Sequence, residues 1–577
     1  MKMKERMGEQ NRGGRLSLAL IDEATRLAAV EMCKRLAERN GSKVVAACFY
    51  GSQVSGYARK DSDVDVLLVL EPYRDDVRYH YEPYEKGMFS VLAVDKELFE
   101  RDVKDAYLGE FVAGRLLTPY QPMVSEEYLN EAEMAAKTRF AKESIQGLIS
   151  DYPGIWTEIL ISPVFFILDK MWRRARIYPP VRYSYVRMLE GNRREMNLKK
   201  ISLGFERALS ALIAEGILTY DGEYYKLTEK AGVQHGANRA RVAEIAKSVK
   251  RAASAYVVHG YAGRGVNLLE VAQEFASKLT RELEGSNREK ALEEPERYLF
   301  LPSERGLVSL SERMPIERLS ERLGSPEAAK ARTVERLGSA VNSVFLIRLT
   351  GDGEEKRVVA KKYRDWHGFK WFPLALWTVG VQRFALRGRS RMANEYAALL
   401  HLRRHGFAAP DVLDISWADK VLYREYVEGE DLEQLAVKAF SSSDALEQAL
   451  PLFSAIGKTL AGIHATGIIL GDPKPENILT DGRGQVFFLD LEQAGRGLQP
   501  TWDLAELLYY TSHLTLNARL AKGFAEAVLG GYLASGDRHV VKEIASPRFM
   551  RVFAVISAPH VLRAVSNVCK ELGGGEP

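Results

Sequence analysis

The chain has 577 residues, too many for one hydrophobic core, so two to four domains are expected. Hydrophobic residues make up 46% and charged residues 27%, which excludes a largely disordered protein, and the net charge of +4 is near balance. Three distant cysteines (Cys33, Cys48 and Cys569) exclude a disulfide scaffold or an all-cysteine zinc site.

The opening MKMKERMGEQNRGGR has no apolar core behind its charges and does not read as a secretory signal. Residues 16–39 then read as an amphipathic helix ended by Asn40-Gly41. A buried strand over 43–50 (KVVAACFY) follows, then a Gly-Ser turn and a second strand over 64–70. Helix, strand, turn, strand predicts a compact α/β unit at 1–120. Gly51 and Ser52 end the first strand and open a helix-like turn whose backbone N–H groups can hold a phosphate. Asp63 and Asp65 are two apart, so along a strand they share a face, and such a pair is costly unless a divalent cation binds it. Gly51-Ser52, Gly56 and Ser62-Asp63-x-Asp65 resemble the nucleotidyltransferase superfamily related to DNA polymerase β, particularly its minimal members. The resemblance implies that Ser52 contacts nucleotide phosphate and that Asp63 and Asp65 carry metal. The family's third carboxylate would fall on a strand over 88–94, at Ser90, with Asp95, Glu82 and Glu85 as the nearby acids. Without a third carboxylate the domain would lack a general base, which implies binding without transfer.

The middle, 121–235, is predicted to be helical. Between residues 172 and 207 ten Lys/Arg face three Glu, a local balance of +7 that fits either a phosphate-tracking surface or a solvated helix face. Arg173, Arg174, Arg176, Arg193, Arg194, Lys199 and Lys200 are its candidates for contact with RNA or DNA. A helix over 201–218 runs into TYDGEYYKL, a hairpin signal at Asp221-Gly222, and the pair resembles the tail of a winged helix-turn-helix. The next segment, 236–330, is expected to be helical to about 284 and linker and domain entry thereafter. The longest apolar runs, 159–168 and 371–381, are shorter than the roughly 20 residues of a membrane span, so no transmembrane segment is expected.

From residue 333 strands return: VERLGSAVNSVFLIRL, a GDGEE turn and RVVAKKY predict a small β lobe ahead of a helical one. Further on stand LGDPKPENIL at 470–479 and VFFLDLE at 486–492. Asp472, Asn477 five later and Asp490 after an apolar strand are the parts that phosphoryl transfer needs, with Lys474 placed to neutralise the moving group. The string resembles the catalytic loop of protein kinases. That resemblance implies Asp472 as base, Asn477 and Asp490 as ligands of Mg²⁺ or Mn²⁺, and Lys361 paired with Glu395 as the clamp on ATP. It further implies Gly338-Ser339 as the phosphate-covering loop, 425–429 (EYVEG) as the hinge between lobes, and Asp503 as a brace for the catalytic loop.

The departures narrow the branch. Leu470-Gly471-Asp472 lacks the arginine that reads a phosphorylated loop, Asp490-Leu491-Glu492 replaces Asp-Phe-Gly, and only twelve residues separate Asp490 from Asp503. This resembles atypical kinases such as the RIO group, the small kinase of the KEOPS tRNA-modification complex, and lipopolysaccharide or aminoglycoside kinases. Regulation by loop phosphorylation is then not expected. The aromatic stretch WHGFKWFPLALWTVGVQRFALRGR between Lys361 and Glu395 reads as an insertion packed on the small lobe, or as a face for a membrane or partner.

The expectation is a multidomain α+β cytoplasmic protein: a nucleotidyltransferase-like head, a helical and winged-helix middle, and a bilobal kinase-like domain at 331–577. Its leading function is ATP-dependent phosphoryl transfer to a Ser/Thr hydroxyl of a protein or small-molecule acceptor. The rivals are nucleotidyl transfer under a regulatory kinase domain, and a nucleic-acid-associated factor that uses its nucleotide sites as switches.

Overall fold

The computed structural model describes residues 21–234, 240–263, 292–303, 306–323, 332–337, 343–351, 354–365, 385, 387–497 and 499–574. They form two compact units, 1–146 with 160–299, and 147–159 with 300–577. The multidomain, mixed α and β character expected from the sequence is observed. The division at 299/300 falls within the stretch 236–330.

In the first unit, helix α1 (Glu23–Arg39) starts where the Asp22 side chain accepts from the Thr25 N–H at 2.7 Å. It ends at Asn40, followed by Gly41 with φ 61°, as the Asn-Gly signal predicts. Strand β1 (Lys43–Tyr50), the one-turn helix α2 (Gly51–Ser55), β2 (Val64–Glu71), β3 (Val77–Tyr84), β4 (Gly87–Asp95), helix α3 (Lys96–Asp105) and β5 (Gln121–Val124) follow. The sheet order is β3-β4-β2-β1-β5, with β2 and β4 parallel and the other pairs antiparallel. One face carries Phe49, Val66, Leu68, Phe89 and Val91 against Met32, Cys33 and Leu36 of α1. The opposite face takes the alternate residues, Asp65 and Ser90 among them. All three cysteines are free and buried, and burial pushes the thiols of Cys33 and Cys569 up to about 12, which leaves them inert.

The chain continues through α4 (Glu126–Asp151), of which 126–146 belong to the first unit, and that unit goes on with β6 (Leu160–Ile161), α5 (Pro163–Ile177), α6 (Val181–Met188), α7 (Arg193–Ala214), the hairpin β7 (Leu218–Asp221) and β8 (Tyr224–Leu227), α8 (Glu229–Gln234) and α9 (Ala240–Ala262). The hairpin closes at Asp221↔Tyr224 around Gly222 with φ 64°. The basic stretch requires a correction, because much of its charge is spent inside the unit. Arg174 is 6% exposed and packs its guanidinium on Gly114, 3.3 Å from Glu110. Arg173 pairs with Asp169 at 2.7 Å, Arg194 with Glu293 at 2.8 Å, and Arg193 donates to the Gly56 carbonyl at 3.3 Å. Lys200 is half-buried, while Arg176 and Lys199 are exposed. Helical spacing placed half of these cations toward their own fold, so they do not make one free stripe.

The second unit contains a further correction. The expected linker holds a hairpin, β9 (Leu299–Ser303) with β10 (Gly306–Ser309), and helix α10 (Ile316–Leu323). Leu319 of α10 is 1% exposed among Ile347, Val358 and Tyr423. IERLSERL is so charged that its short apolar stripe is easily taken for linker. The sheet β11 (Arg332–Leu337), β12 (Ser343–Gly351), β13 (Glu354–Lys362), β14 (Val412–Ser416) and β15 (Val421–Glu425) has the order β11-β12-β13-β15-β14, antiparallel throughout. Helix α11 (Gly388–Arg404) lies between β13 and β14 in sequence. After β16 (Glu430–Asp431) come α12 (Leu432–Ala439), α13 (Ser443–Ala465), β17 (Ile478–Thr480), β18 (Val486–Phe488), α14 (Pro500–Thr511), α15 (Ala518–Tyr532), α16 (Arg538–Ile544), α17 (Pro547–Phe553) and α18 (Pro559–Gly574). Helices α13 and α15 cross so closely that a Cβ on Gly457 would meet the Val528 carbonyl at 1.9 Å, and one on Gly531 the Ser454 carbonyl at 1.9 Å. Gly338, Ser339 and most of the aromatic stretch (366–384 and 386) lie outside the described residues. No described helix is long and apolar enough to cross a membrane.

Candidate active sites

In the first unit the strand register assembles the site. Tyr50 lies opposite Asp65, Asp65 opposite Ser90, and Ser90 opposite Tyr81. Paired residues share a face, so Asp65, Ser90 and Tyr81 point the same way. Gly51 turns the chain beside them with φ 78°, and a Cβ there would meet Asp65 Oδ2 at 2.1 Å, so the position demands glycine. A cavity of about 200 Å³ is lined by Gly51, Ser52, Asp65, Tyr79, Arg115 and Ser184. Burial raises the Asp65 carboxyl to about 6; nearby Arg115 opposes the shift and Asp63 adds to it. Arg115 donates to the Tyr79 hydroxyl at 3.2 Å and lies 5.0 Å from the Tyr50 ring centre.

Asp63 is exposed and stands one residue ahead of β2. The third carboxylate is missing from its slot, where Ser90 is 7% exposed. Glu82 cannot substitute: it pairs with Phe89, hence faces α1, and is held by Arg39 at 2.9 Å. Asp95 accepts from the Tyr73 N–H at 3.0 Å and caps α3 through Glu97 N at 2.9 Å. Glu85 is exposed in the β3–β4 turn. Among the described residues no third ligating side chain clusters with Asp63 and Asp65. Two carboxylates fit a divalent ion carried in with a triphosphate.

In the second unit a hairpin does the assembling. Strands β17 and β18 pair from Ile478↔Phe488 to Thr480↔Val486, and Asp481 Oδ1 ties the turn by accepting from Arg483 N at 2.9 Å and Gln485 N at 2.8 Å. At the open end Leu489 N donates to the Asn477 carbonyl at 2.7 Å, which brings Asn477 beside Asp490. Asp490 has φ 56°, a left-handed conformation that a non-glycine residue holds only when its surroundings impose it. Asn477 Nδ2 donates to the Asp472 carbonyl at 3.0 Å, so the amide oxygen is the atom left for a cation. An amide oxygen and a carboxylate suit Mg²⁺.

Lys361 on β13 is 3% exposed, 2.6 Å from Glu395 on α11 and 3.3 Å from Glu492, and it also pairs with Asp490. Burial alone would lower its pKa, but Asp490, Glu395 and Glu492 overcome that and hold it well above the ordinary lysine value. Glu395 also accepts from the Tyr363 hydroxyl at 2.7 Å. Lys474 lies 2.7 Å from Asp472, whose carboxyl is raised by burial against the opposing pull of that lysine.

Asp503, fully buried on α14, accepts from Leu470 N at 2.7 Å, Gly471 N at 2.8 Å and pairs with His464 Nε2 at 3.0 Å. Gly471 has φ 82°, and a Cβ there would meet the Gln493 carbonyl at 2.5 Å. An arginine therefore has no room before Asp472. Beyond Asp490 come one short turn, Leu491–Gln493, a bridge between Ile469 and Gly495, and then α14 from Pro500. Sequence reasoning missed Glu492, Arg391, Glu506 and Arg115. Glu506 follows Asp503 by one helical turn, and burial together with the nearby Asp472 pushes its carboxyl far up. The i,i+3 and i,i+4 spacings of Asp503/Glu506 and Arg391/Glu395 were legible in the sequence, but the partners they meet were not.

Residues 31–112 match the family model of the nucleotidyltransferase domain. Two curated relatives are subunits of one kind of complex. Over 152 residues the chain is 27% identical to the KEOPS complex subunit Bud32 of Pyrococcus abyssi, covering 25% of this chain and 64% of that protein. Over 93 residues it is 34% identical to the EKC/KEOPS complex subunit Tp53rkb of Mus musculus, covering 16% of this chain and 38% of that protein. The chain thus spans less than two thirds of the length of either relative.

The raised carboxyl of the nucleotidyltransferase domain gives a pH signature. Because the folded value of Asp65, about 6, lies above its ordinary 3.8, its contribution to stability is fully present below about pH 3.8 and is lost as pH rises through about 6. Metal must displace that proton, so Mg²⁺-dependent nucleotide binding by this domain is expected to strengthen from about pH 5 to 7 and to disappear in Asp63→Ala/Asp65→Ala. Calorimetric titration of the full chain carrying Lys361→Met, with the second site thus disabled, isolates this site. Binding that ignores both pH and the double substitution would exclude the two aspartates as ligands.

Proposed function

We propose that residues 331–577 form an atypical kinase-like domain that transfers the γ-phosphoryl group of ATP to a Ser/Thr-type hydroxyl. The observation that carries this reading is the convergence of Lys361, Glu395 and Asp490 in one ion-paired cluster, with Lys361 and Glu395 buried, Asp490 part-exposed, and Asn477 beside Asp490 and bonded to the Asp472 backbone. Lys361, oriented by Glu395, holds the nucleotide phosphates. Asp472 accepts the proton of the attacking hydroxyl, with Lys474 beside it to balance charge on the moving group. Asn477 and Asp490 would hold Mg²⁺, which neutralises the phosphate oxygens when bound. The similarity to two KEOPS complex subunits supports the branch.

The segment after Asp490 is too short to seat a peptide as protein kinases do, so the acceptor is positioned by other parts of the chain or by a partner. The first unit, in this reading, binds a nucleoside triphosphate at Ser52, Asp63 and Asp65 without transferring it, because Ser90 stands where a third carboxylate is needed. Helix α7 with the β7–β8 hairpin is read as a winged-helix unit.

Labelled ATP tests both halves. Incorporation from γ-labelled and not from α-labelled ATP, with Mg²⁺ present, is the expected result for the full chain. Incorporation from the α position alone would overturn the assignment in favour of nucleotidyl transfer.

A further inference from the structure

Glu492 occupies the position at which a kinase-like chain ordinarily has the flexible glycine of its metal-binding segment, and here it is 5% exposed. Its carboxylate lies 2.8 Å from Arg391 Nη1 and 3.3 Å from Lys361 Nζ, and its backbone carbonyl accepts from Asn394 Nδ2 at 3.0 Å. Arg391, Asn394 and Glu395 stand at i, i+3 and i+4 on α11, so they form one helical face. That face carries the carboxylate that pairs with Lys361. The neighbouring Gln493 grips the chain just ahead of α11, accepting from Ala385 N at 2.6 Å. Arg391 is fully buried and also donates to the Arg364 carbonyl.

We propose that Glu492 is a positioning residue for phosphoryl transfer: through Arg391, Asn394 and Lys361 it latches α11 onto the segment after Asp490 and keeps the Lys361–Glu395 pair made without nucleotide or a phosphorylated loop. The proposal rests on the kinase reading for its purpose, but the latch itself is a property of the nucleotide-free chain. In chains with a long activation segment, contacts from that segment hold the helix in place. Here the segment is one turn followed by a bridge, and Gly471 leaves no room for a phosphate-reading arginine. Buried charge pairs offer a substitute, since breaking one strands its partner in a low-dielectric site.

The test compares the full wild-type chain with two variants. Glu492→Gln removes the charge at constant volume. Arg391→Met/Glu492→Gln removes both charges, so no guanidinium is stranded and folding is protected. Amide hydrogen exchange across 388–404 is read with and without Mg²⁺ and a non-hydrolysable ATP analogue, with 443–465 as internal reference. Wild type should exchange slowly in both states. At least one folded variant should exchange about tenfold faster when nucleotide-free and return to the wild-type rate with the analogue. A helix that is docked only part of the time reduces apparent affinity by that fraction, so the KM for ATP should rise about tenfold while kcat stays within about threefold. Unchanged exchange and KM in both variants would overturn the latch. A fall in kcat at saturating ATP with KM unchanged would also overturn it, by placing Glu492 against the reacting atoms. If wild type turns over no ATP, the kinase reading fails, and exchange in the nucleotide-free chain still decides the latch.

Discussion

Asp490→Asn is expected to lower transfer from γ-labelled ATP by about a thousandfold or more, the scale on which positioned charge at a phosphoryl centre acts. The fold should survive for two reasons. Asparagine is the non-glycine residue that best tolerates the left-handed conformation at φ 56°. Lys361 also keeps Glu395 at 2.6 Å and Glu492 at 3.3 Å, so its buried charge is not left alone. A shift in melting temperature of only a few degrees, measured beside the labelling assay, separates lost chemistry from lost structure. Labelling at the wild-type level would remove Asp490 from the site.

Asp503→Ala should have the largest effect on stability. Asp503 is wholly buried and satisfies the N–H groups of Leu470 and Gly471 and the His464 ring. Truncation strands these donors, a loss of about 3–5 kcal/mol. A change of that size should lower the melting transition of the second unit by about 10 °C. Activity should fall with it, because the two amides fix the backbone immediately ahead of Asp472. Asp503→Asn keeps one acceptor oxygen and should lie between. A melting temperature equal to wild type for the alanine variant would show that the loop at 470–472 is held by other contacts, Trp502 Nε1 to the Gly471 carbonyl at 3.1 Å being the first to consider.

The elements around both sites were legible in the chain because their signals are local. An apolar run ending in Gly-Ser marks β1 and its turn, and the Asp-x-Asp that follows marks the start of β2. The helix end at Asn40-Gly41 and the hairpin at Asp221-Gly222 follow from backbone preferences of single residues. The string from Asp472 to Asn477, with Asp490 after a short apolar strand, named the polar groups, and the β17–β18 hairpin seen in the structure is what brings them together.

The fate of charges was not legible. Composition counts the cations between residues 172 and 207 as one basic stretch, yet Arg174 is buried on Glu110 and Arg194 is paired with Glu293, a partner about a hundred residues away. Glu82 looked as able as any acid to complete the first site, until the pairing of Glu82 with Phe89 turned it to the α1 face and that of Asp65 with Ser90 left a hydroxyl in the slot. Local sequence determined which residues carry the chemistry and which backbone turns they sit on, because propensity and spacing act over a few residues. Only the tertiary structure decided which charges face one another, and therefore that Lys361 is shared by three carboxylates and that Glu492 ties down α11, because the energy of a buried charge depends on partners that the chain order does not reveal.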